Sequence, residues 1–528
     1  MSKTSKLYSF CDSAINKIFG ILTFIILFVN ILNIVDGDLI VGCIELILLA
    51  ILIVFILYCY FRTDLFQKVS KIIKKLSVAK MLTIIVVLSL LTKCFFLFLF
   101  RIDSSEHPDI AMYWSFIKQL ANEGKIVENA EYAVRYSYTV MYSVFYLPFA
   151  IITHSTNIIH YELYLIIFFT ITAIFLFDLI KYHKGKNLAF VTTLIWILSP
   201  IGMTAPLALI HENGFLVLHI IVLWLLFRLR LSVQSNIIKI CSVAATGLIL
   251  AYATSFNRFG IISIIAITIL LVMSLIKRKW NWKAFVVVLL IPAYFCTMLL
   301  FVSTIKYKCI NKVVDSSEVV YDTSYSLPNG WGLYLGANYE HSGRWNEEDF
   351  NTYEQFRNFD NPEDALNYQK KLVKNRYKEY LNSPQRILFL IIEKLKEMWG
   401  SQFLPIYYDG FGQSEFSNWF FNSHNGLISK LTNKAFQMMA FIPVFFMSLG
   451  YRRNLIEKNE NRTALLNYLK LFLIGATFVL LPFEVTFKYT SMFWVIYYAV
   501  FAFQFEEINT NLKAINKRTK HGKGIRPF

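Results

Sequence analysis

Stretches of about twenty apolar residues recur along this chain with short polar turns between them, and a helix needs around 20 such residues to cross roughly 30 Å of hydrocarbon. No other feature restricts the fold as much. A backbone in lipid must satisfy its own hydrogen bonds, so it stays helical or closes into a barrel. Of the 528 residues, 56% are hydrophobic and 17% aromatic, against roughly 45–50% apolar in soluble domains. The chain reads as an all-α polytopic membrane protein with about 12 transmembrane helices.

Charge orders the spans. The net charge is +17, but Lys and Arg gather in short runs between apolar stretches, as in cytoplasmic loops. The anionic partner expected is therefore membrane lipid, not nucleic acid. Spans near Ile18–Val35 and Leu39–Tyr60 precede the basic stretch Arg62–Lys80, which sets that side as cytoplasmic, so 1–80 is a unit of two extra N-terminal spans and a basic loop. The third span, Met81–Phe100, then ends outside. Of the next apolar runs, Tyr138–Ile152 and Tyr161–Ile180, only one can cross, since otherwise Lys181, Lys184 and Lys186 would face outward. The first is short and rich in Tyr and Phe, and is expected to lie along the outer interface within an outer loop over 101–160.

Crossings at Leu188–Met203, Pro206–Phe227, Ile237–Thr254, Phe259–Ile276 and Trp282–Val302 complete a seven-helix core over 81–303. An extracytoplasmic region, 304–432, follows, with an interfacial helix opened by Ser383-Pro384, Pro suiting the first turn. The last part, 433–528, carries three spans, near Phe436–Gly450, Leu465–Leu481 and Val485–Phe505, and a basic tail. The expected location is the plasma membrane, multi-pass, with both termini cytoplasmic. The first span is read as uncleaved, because no small-residue cleavage site precedes Asp36. Seven cysteines are present, and five of them (Cys43, Cys59, Cys94, Cys241 and Cys296) sit in apolar runs as small hydrophobes, so no disulfide framework is expected.

The segment RIDSSEHPDIAMYWSFIKQLANEG, from Arg101 to Gly124, is the expected reaction centre. Asp103, Glu106 and Asp109 fall within about two helical turns of a membrane boundary, where an ionised group is costly unless something nearby uses it. Pro108 suits a helix start, with Asp109 in its first turn and Tyr113 one turn on. A carboxylate there could take the proton of an acceptor hydroxyl, a poor nucleophile without a base; the bland alternative is an acid favoured by the helix dipole. His211 and Glu212 open a helix at the same outer end, either as site residues or as a pair snorkelling to the headgroups. His219, deeper in that helix, reads as a packing histidine.

Outer cations matter because a lipid-phosphate donor needs its phosphate held and its leaving charge stabilised. Arg258 in SFNRFG and Lys488 in PFEVTFKY are the candidates; Glu484 and Lys488 alternatively form only an i,i+4 pair. Arg386 and Lys394 on the interfacial helix are weaker, since charges there usually face water. The segment LPNGWGLYLGANYEHSGRWNEEDF, Leu327–Phe350, offers Trp331, Asn338 and Trp345, aromatic faces beside amides that suit sugar rings; an ordinary Gly-rich turn is the alternative. No paired-ligand spacing points to a metal, so neither metal nor cofactor is expected. No GxxxxGK[ST] loop and no GxGxxG after a strand is present, which disfavours a soluble nucleotide-sugar donor.

The pattern resembles the GT-C superfamily of membrane glycosyltransferases, which includes protein O-mannosyltransferases and aminoarabinose transferases. The residues that carry it are Asp109 and Tyr113 in the acidic first outer loop, Glu212, Arg258 with Gly260, then Gly336, Asn338, Gly343, Trp345 and Asn346, and finally Glu484, Lys488 and Tyr489. The likeness covers roughly Met81 to Phe505. It implies a GT-C-like core and transfer of a sugar, with inversion, from a polyprenyl-phosphate carrier such as undecaprenyl phosphate. The acceptor would be on the outer face: an envelope glycan, teichoic-type polymer, lipid or protein. Asp109 would be the general base, and Arg258, Lys488 and Tyr489 would hold the carrier phosphate. Many relatives have Arg-Pro at Arg258-Phe259 and Arg-Tyr at Lys488-Tyr489, and a lysine there gives a point charge in place of a bidentate fork. The alternatives are a lipid-linked glycan polymerase or ligase, and a flippase or transporter.

Overall fold

Apolar runs of span length become helices, and few other elements appear. The computed structural model describes residues 3–35, 39–62, 65–101, 108–155, 157–232, 234–277, 282–315, 325, 327, 330–381, 383–400, 414–422, 427–450 and 460–505. Among these residues there is no named strand, and the one isolated bridge pairs Ile126 with Val314. Eight described helices are long and apolar enough to cross a membrane, or nine if the bent pair Lys186–Ile197 and Pro200–Leu207 is one span. The protein is a multi-pass, all-α membrane protein.

Several boundaries differ from those the apolar runs suggest. The first helix is Lys3–Val35, fifteen residues longer at its start than the run from Ile18. Its polar turn is held by neighbours: Asn467 donates to Asp12 at 2.7 Å, and Lys470 donates to Asn16 at 2.5 Å. The expected span Leu188–Met203 is broken instead at Ser199-Pro200, where the two pieces meet at 63°. Ser199 caps the second piece by accepting from the Gly202 amide at 3.1 Å, and Pro200 cannot continue the first. Pro206 lies in the 3-10 turn that ends this pair, so the next helix starts at His211 and not at Pro206. The last expected span, from Val485, is interrupted by a turn at Met492 between Phe487–Ser491 and a helix over 493–505. Ser137–Thr153, at 17 residues, is too short to span roughly 30 Å upright.

Lateral packing is tied by buried polar pairs. Ser89 and Thr170 hydroxyls meet at 3.0 Å, and His219 meets the Tyr468 hydroxyl at 2.8 Å. In a medium without water such bonds join helices because the alternative is an unsatisfied group.

The helix ends sort into two groups. At one, Lys186 donates to the Leu76 carbonyl at 2.8 Å, and Asp178 pairs with Lys181 at 2.7 Å and Arg228 at 2.9 Å. At the other, the end that carries the loops, Ile126 bonds the Val313 carbonyl at 2.6 Å, Ser414 bonds the Leu99 carbonyl at 2.6 Å, and Asn33 bonds the Lys396 carbonyl at 2.9 Å. Helices Pro108–Asn122, Ser137–Thr153, Glu347–Glu354, Pro362–Leu381 and Pro384–Gly400 gather there.

Candidate active site

Pro108 does start a helix, Pro108–Asn122, with Asp109 in its first turn. Tyr113 follows one turn later and is buried, at 1% exposure. Its hydroxyl lies 3.0 Å from His211 Nδ1, and His211 Nε2 lies 3.3 Å from Glu212 Oε1, whose carboxylate is fully enclosed. Burial first, then the charges of Tyr138, Asp109 and Glu212, hold the Tyr113 phenol well above its ordinary pKa. The phenol therefore keeps its proton at neutral pH, and its hydroxyl shares one hydrogen bond with Nδ1. Tyr113 and the pair His211–Glu212, singled out apart from one another in the sequence, thus form one phenol–imidazole–carboxylate cluster beside Asp109.

Tyrosines enclose this chain. Tyr138 and Tyr142 rings stand 5.1 Å and 6.3 Å from the His211 ring, and Tyr113 meets Tyr142 edge-on at 5.2 Å. Tyr142 and Tyr146 share a hydroxyl bond of 2.7 Å. The Tyr138 phenol is raised well above its usual range by burial first, with Tyr132, Asp109 and Tyr489 adding to it. Asp109 and Tyr489, 380 positions apart, therefore act on the same ring. The wall is legible in retrospect as a spacing of four, Tyr138, Tyr142 and Tyr146, which lines one face of a helix.

The loop end is clamped from above. Arg135 forms a fork with Glu354, one arm at 2.6 Å, and Arg357 reaches Glu354 at 2.8 Å and Glu131 at 3.1 Å. Arg135 also lies over the rings of Tyr136 and Phe356. This joins the first loop to the region beyond Val313.

That region is built on close backbone contact. Gly336 abuts the carbonyl group of Phe483, where a Cβ would fall 2.2 Å from its carbon. The Glu484 amide donates to the Gly332 carbonyl at 2.7 Å and the Val485 amide to the Gly343 carbonyl at 3.0 Å. Lys394, expected to face water, is instead 1% exposed and donates to the Leu481 and Phe483 carbonyls at 2.6 and 2.8 Å. Burial lowers it to about 7, against an upward pull from Glu484. A neutral amine has two N–H donors, one for each carbonyl. The glycine-rich segment and Lys394 thus fix the turn that leads to Lys488 and Tyr489.

The remaining expected site residues divide. Arg258 stands exposed between helices Asn236–Phe256 and Phe259–Lys277. Asn338 is buried and donates to Asp349, which also accepts from Asn346 at 2.8 Å and Arg376 at 2.7 Å. Trp331 packs edge-on against Phe350 and Tyr353. Both are thus engaged by neighbouring side chains, while Trp345 is 55% exposed. Asp103, Glu106 and the Lys488 side chain lie outside the described residues. Arg135, Glu354 and Lys306 carry no local sequence signal, because charges far apart in the chain show no spacing that pairs them. Comparison with protein-family models, with curated proteins and with solved structures gives no match.

Proposed function

We propose that this protein is an integral-membrane glycosyltransferase of GT-C type that moves a sugar from a polyprenyl-phosphate carrier to an acceptor hydroxyl. The gathering of Asp109, the Tyr113–His211–Glu212 chain and Tyr489 at the loop end of the bundle is what supports the reading. An acid, a proton-holding chain and rings able to cover a sugar face meet where a lipid headgroup and an external acceptor can both arrive.

In this reading Asp109 takes the acceptor proton as the acceptor oxygen bonds to the anomeric carbon from the face opposite the phosphate. The bond from that carbon to the phosphate oxygen breaks, and the carrier leaves as polyprenyl phosphate. Arg258, with Lys488 and Tyr489, meets the charge that develops on the leaving oxygen. Tyr113, held by His211, orients the acceptor. The fold would carry twelve spans, seven of them the GT-C core, in the plasma membrane, with both termini cytoplasmic and the loop end outside. The acceptor class is an envelope glycan, teichoic-type polymer, lipid or protein, and a polymerase or ligase would use the same donor chemistry.

The test uses purified protein in lipid with polyprenyl-phosphate sugars. Asp109→Asn is expected to lose about 10²–10⁴-fold in transfer rate, the range of a positioned general base. Full activity in that variant would remove Asp109 from the reaction.

A second reading, a carrier for the lipid-linked sugar, is favoured by the span bent by 63° at Ser199-Pro200, since broken helices build transporter sites. Movement of the sugar carrier across a vesicle with no transfer product would select it.

A further inference from the structure

Arg258 is exposed at the loop end of the bundle, and Lys306, on helix Trp282–Val313, is half-buried beside it. Helices Asn236–Phe256 and Trp282–Val313 run side by side in the same direction: the Tyr294 hydroxyl donates to the Ala244 carbonyl at 2.8 Å, and the rings of Tyr294 and Phe295 close over Gly247. Arg258 lies as many residues beyond Gly247 as Lys306 lies beyond Phe295. Equal rise over the nine residues from Gly247 to Phe256 brings Phe256 level with Thr304, about 14 Å further along, and Arg258 and Lys306 each stand two residues beyond. Their charges repel one another. Among the described residues neither forms an ion pair with a carboxylate, and the Lys306 ammonium lies 5.4 Å from the centre of the Tyr307 ring.

The surroundings say what kind of anion completes the pair. Within two turns of Lys306 the same helix exposes Leu300 at 71%, Phe301 at 52% and Ile305 at 39%, and the neighbouring helix exposes Ile261 and Ile265. Only 11% of the apolar window in Phe285–Val313 is buried within the protein. Two adjacent cations thus crown a wall that faces hydrocarbon. A soluble anion would leave the wall bare, whereas a phosphate carried on a long apolar chain meets both parts.

We infer that Arg258 and Lys306 form a two-cation seat for the phosphate of a membrane lipid whose chain lies along the wall between helices Phe259–Lys277 and Trp282–Val313. That this lipid is the sugar carrier rests on the function proposed above; the seat itself does not. Lys306 is then the second cation of the donor site, contributed by a helix in which no sequence motif marks it.

The experiment places wild type, Arg258→Gln, Lys306→Gln, Lys306→Glu and Lys306→Arg in phosphatidylcholine nanodiscs. Undecaprenyl phosphate and, separately, phosphatidylglycerol are titrated in, with occupancy read by native mass spectrometry. Lys306→Glu is expected to weaken undecaprenyl-phosphate binding at least about tenfold, the worth of one charge-assisted hydrogen bond. Lys306→Gln should weaken it less, and Lys306→Arg should retain it. Unchanged unfolding temperatures separate lost binding from lost fold, and Lys306→Arg keeps the charge where Lys306→Glu fails to fold. Wild-type affinity for both lipids in Arg258→Gln, Lys306→Gln and Lys306→Glu alike would overturn the seat. A loss confined to phosphatidylglycerol supports the seat and removes its identity with the donor. Retained seat binding beside full activity in Asp109→Asn would fail the reaction reading alone.

Discussion

Tyr113 and Lys394 show how burial turns ordinary side chains into specific ones. Tyr113, almost completely enclosed, keeps its proton and holds the His211 ring through one hydrogen bond. Tyr113→Phe removes that hydroxyl while leaving the ring in place, so transfer should fall about tenfold and stability by about 1 kcal/mol, as for one lost hydrogen bond. Steady-state rates beside a thermal melt check this, and a large melt shift with unchanged rate would make Tyr113 merely a packing residue. Lys394 carries the sign of a pH effect. Its folded pKa, about 7, lies below the ordinary 10.5, so between those values the unfolded chain binds more protons than the folded one. Stability therefore rises with pH across that window and levels off outside it. Melts of detergent-solubilised protein between about pH 7 and pH 10 should show the rise, and Lys394→Met should flatten its share of the slope. An equal slope in both proteins would contradict a lowered Lys394.

At the scale of elements, the site depends on loops being held against one another. Helix Ala130–Arg135 is bound to helix Glu347–Glu354 by the Arg135–Glu354 fork, whose side chains are only 10% and 13% exposed. Enclosed pairs of this kind leave an uncompensated charge when one partner goes. Arg135→Ala or Glu354→Ala should each cost about 3 kcal/mol, and the double variant should cost less than the two together by about 1–3 kcal/mol. A double-mutant cycle on chemical unfolding measures this, and additive losses would show that the two helices are joined by other means. The clamp also closes over Tyr136, so the single variants should raise the acceptor KM more than they lower kcat, which kinetics on the same proteins reads.

For the whole molecule the question is which end faces out. The basic end carries Lys71, Lys74, Lys75, Lys186 and Arg228, and the loop end carries Asp109, His211 and the region around Trp345. The charge rule assigns the first to the cytoplasm. In a background without the seven native cysteines, Trp345→Cys should react with a membrane-impermeant maleimide on intact cells and Lys71→Cys only after lysis. The reverse pattern would invert the topology and place the proposed chemistry on the wrong side of the membrane.

How much was legible follows from how far apart the interacting parts lie in the chain. Pro108 opening a helix, Asp109 one turn before Tyr113, Ser137–Thr153 too short to cross and Pro384 starting a short helix are all local, set by propensity, length and capping within a few residues. The break at Ser199-Pro200 was also local, but a run of apolar residues conceals it, since hydropathy reports transfer into lipid and not backbone continuity. The helix of Lys394 is amphipathic, which points a lysine toward water, and only the turn at Leu481–Phe483 lying against it shows why this amine is enclosed.

By itself, then, the sequence determined that the chain lives in a bilayer as helices, because apolar length and the need to satisfy backbone hydrogen bonds admit little else. Only the tertiary structure decided that Tyr113 meets His211, that Arg135 meets Glu354, and that Arg258 comes beside Lys306. Those meetings depend on the register and order of whole helices, and packing fixes register through contacts that no stretch of the chain contains on its own.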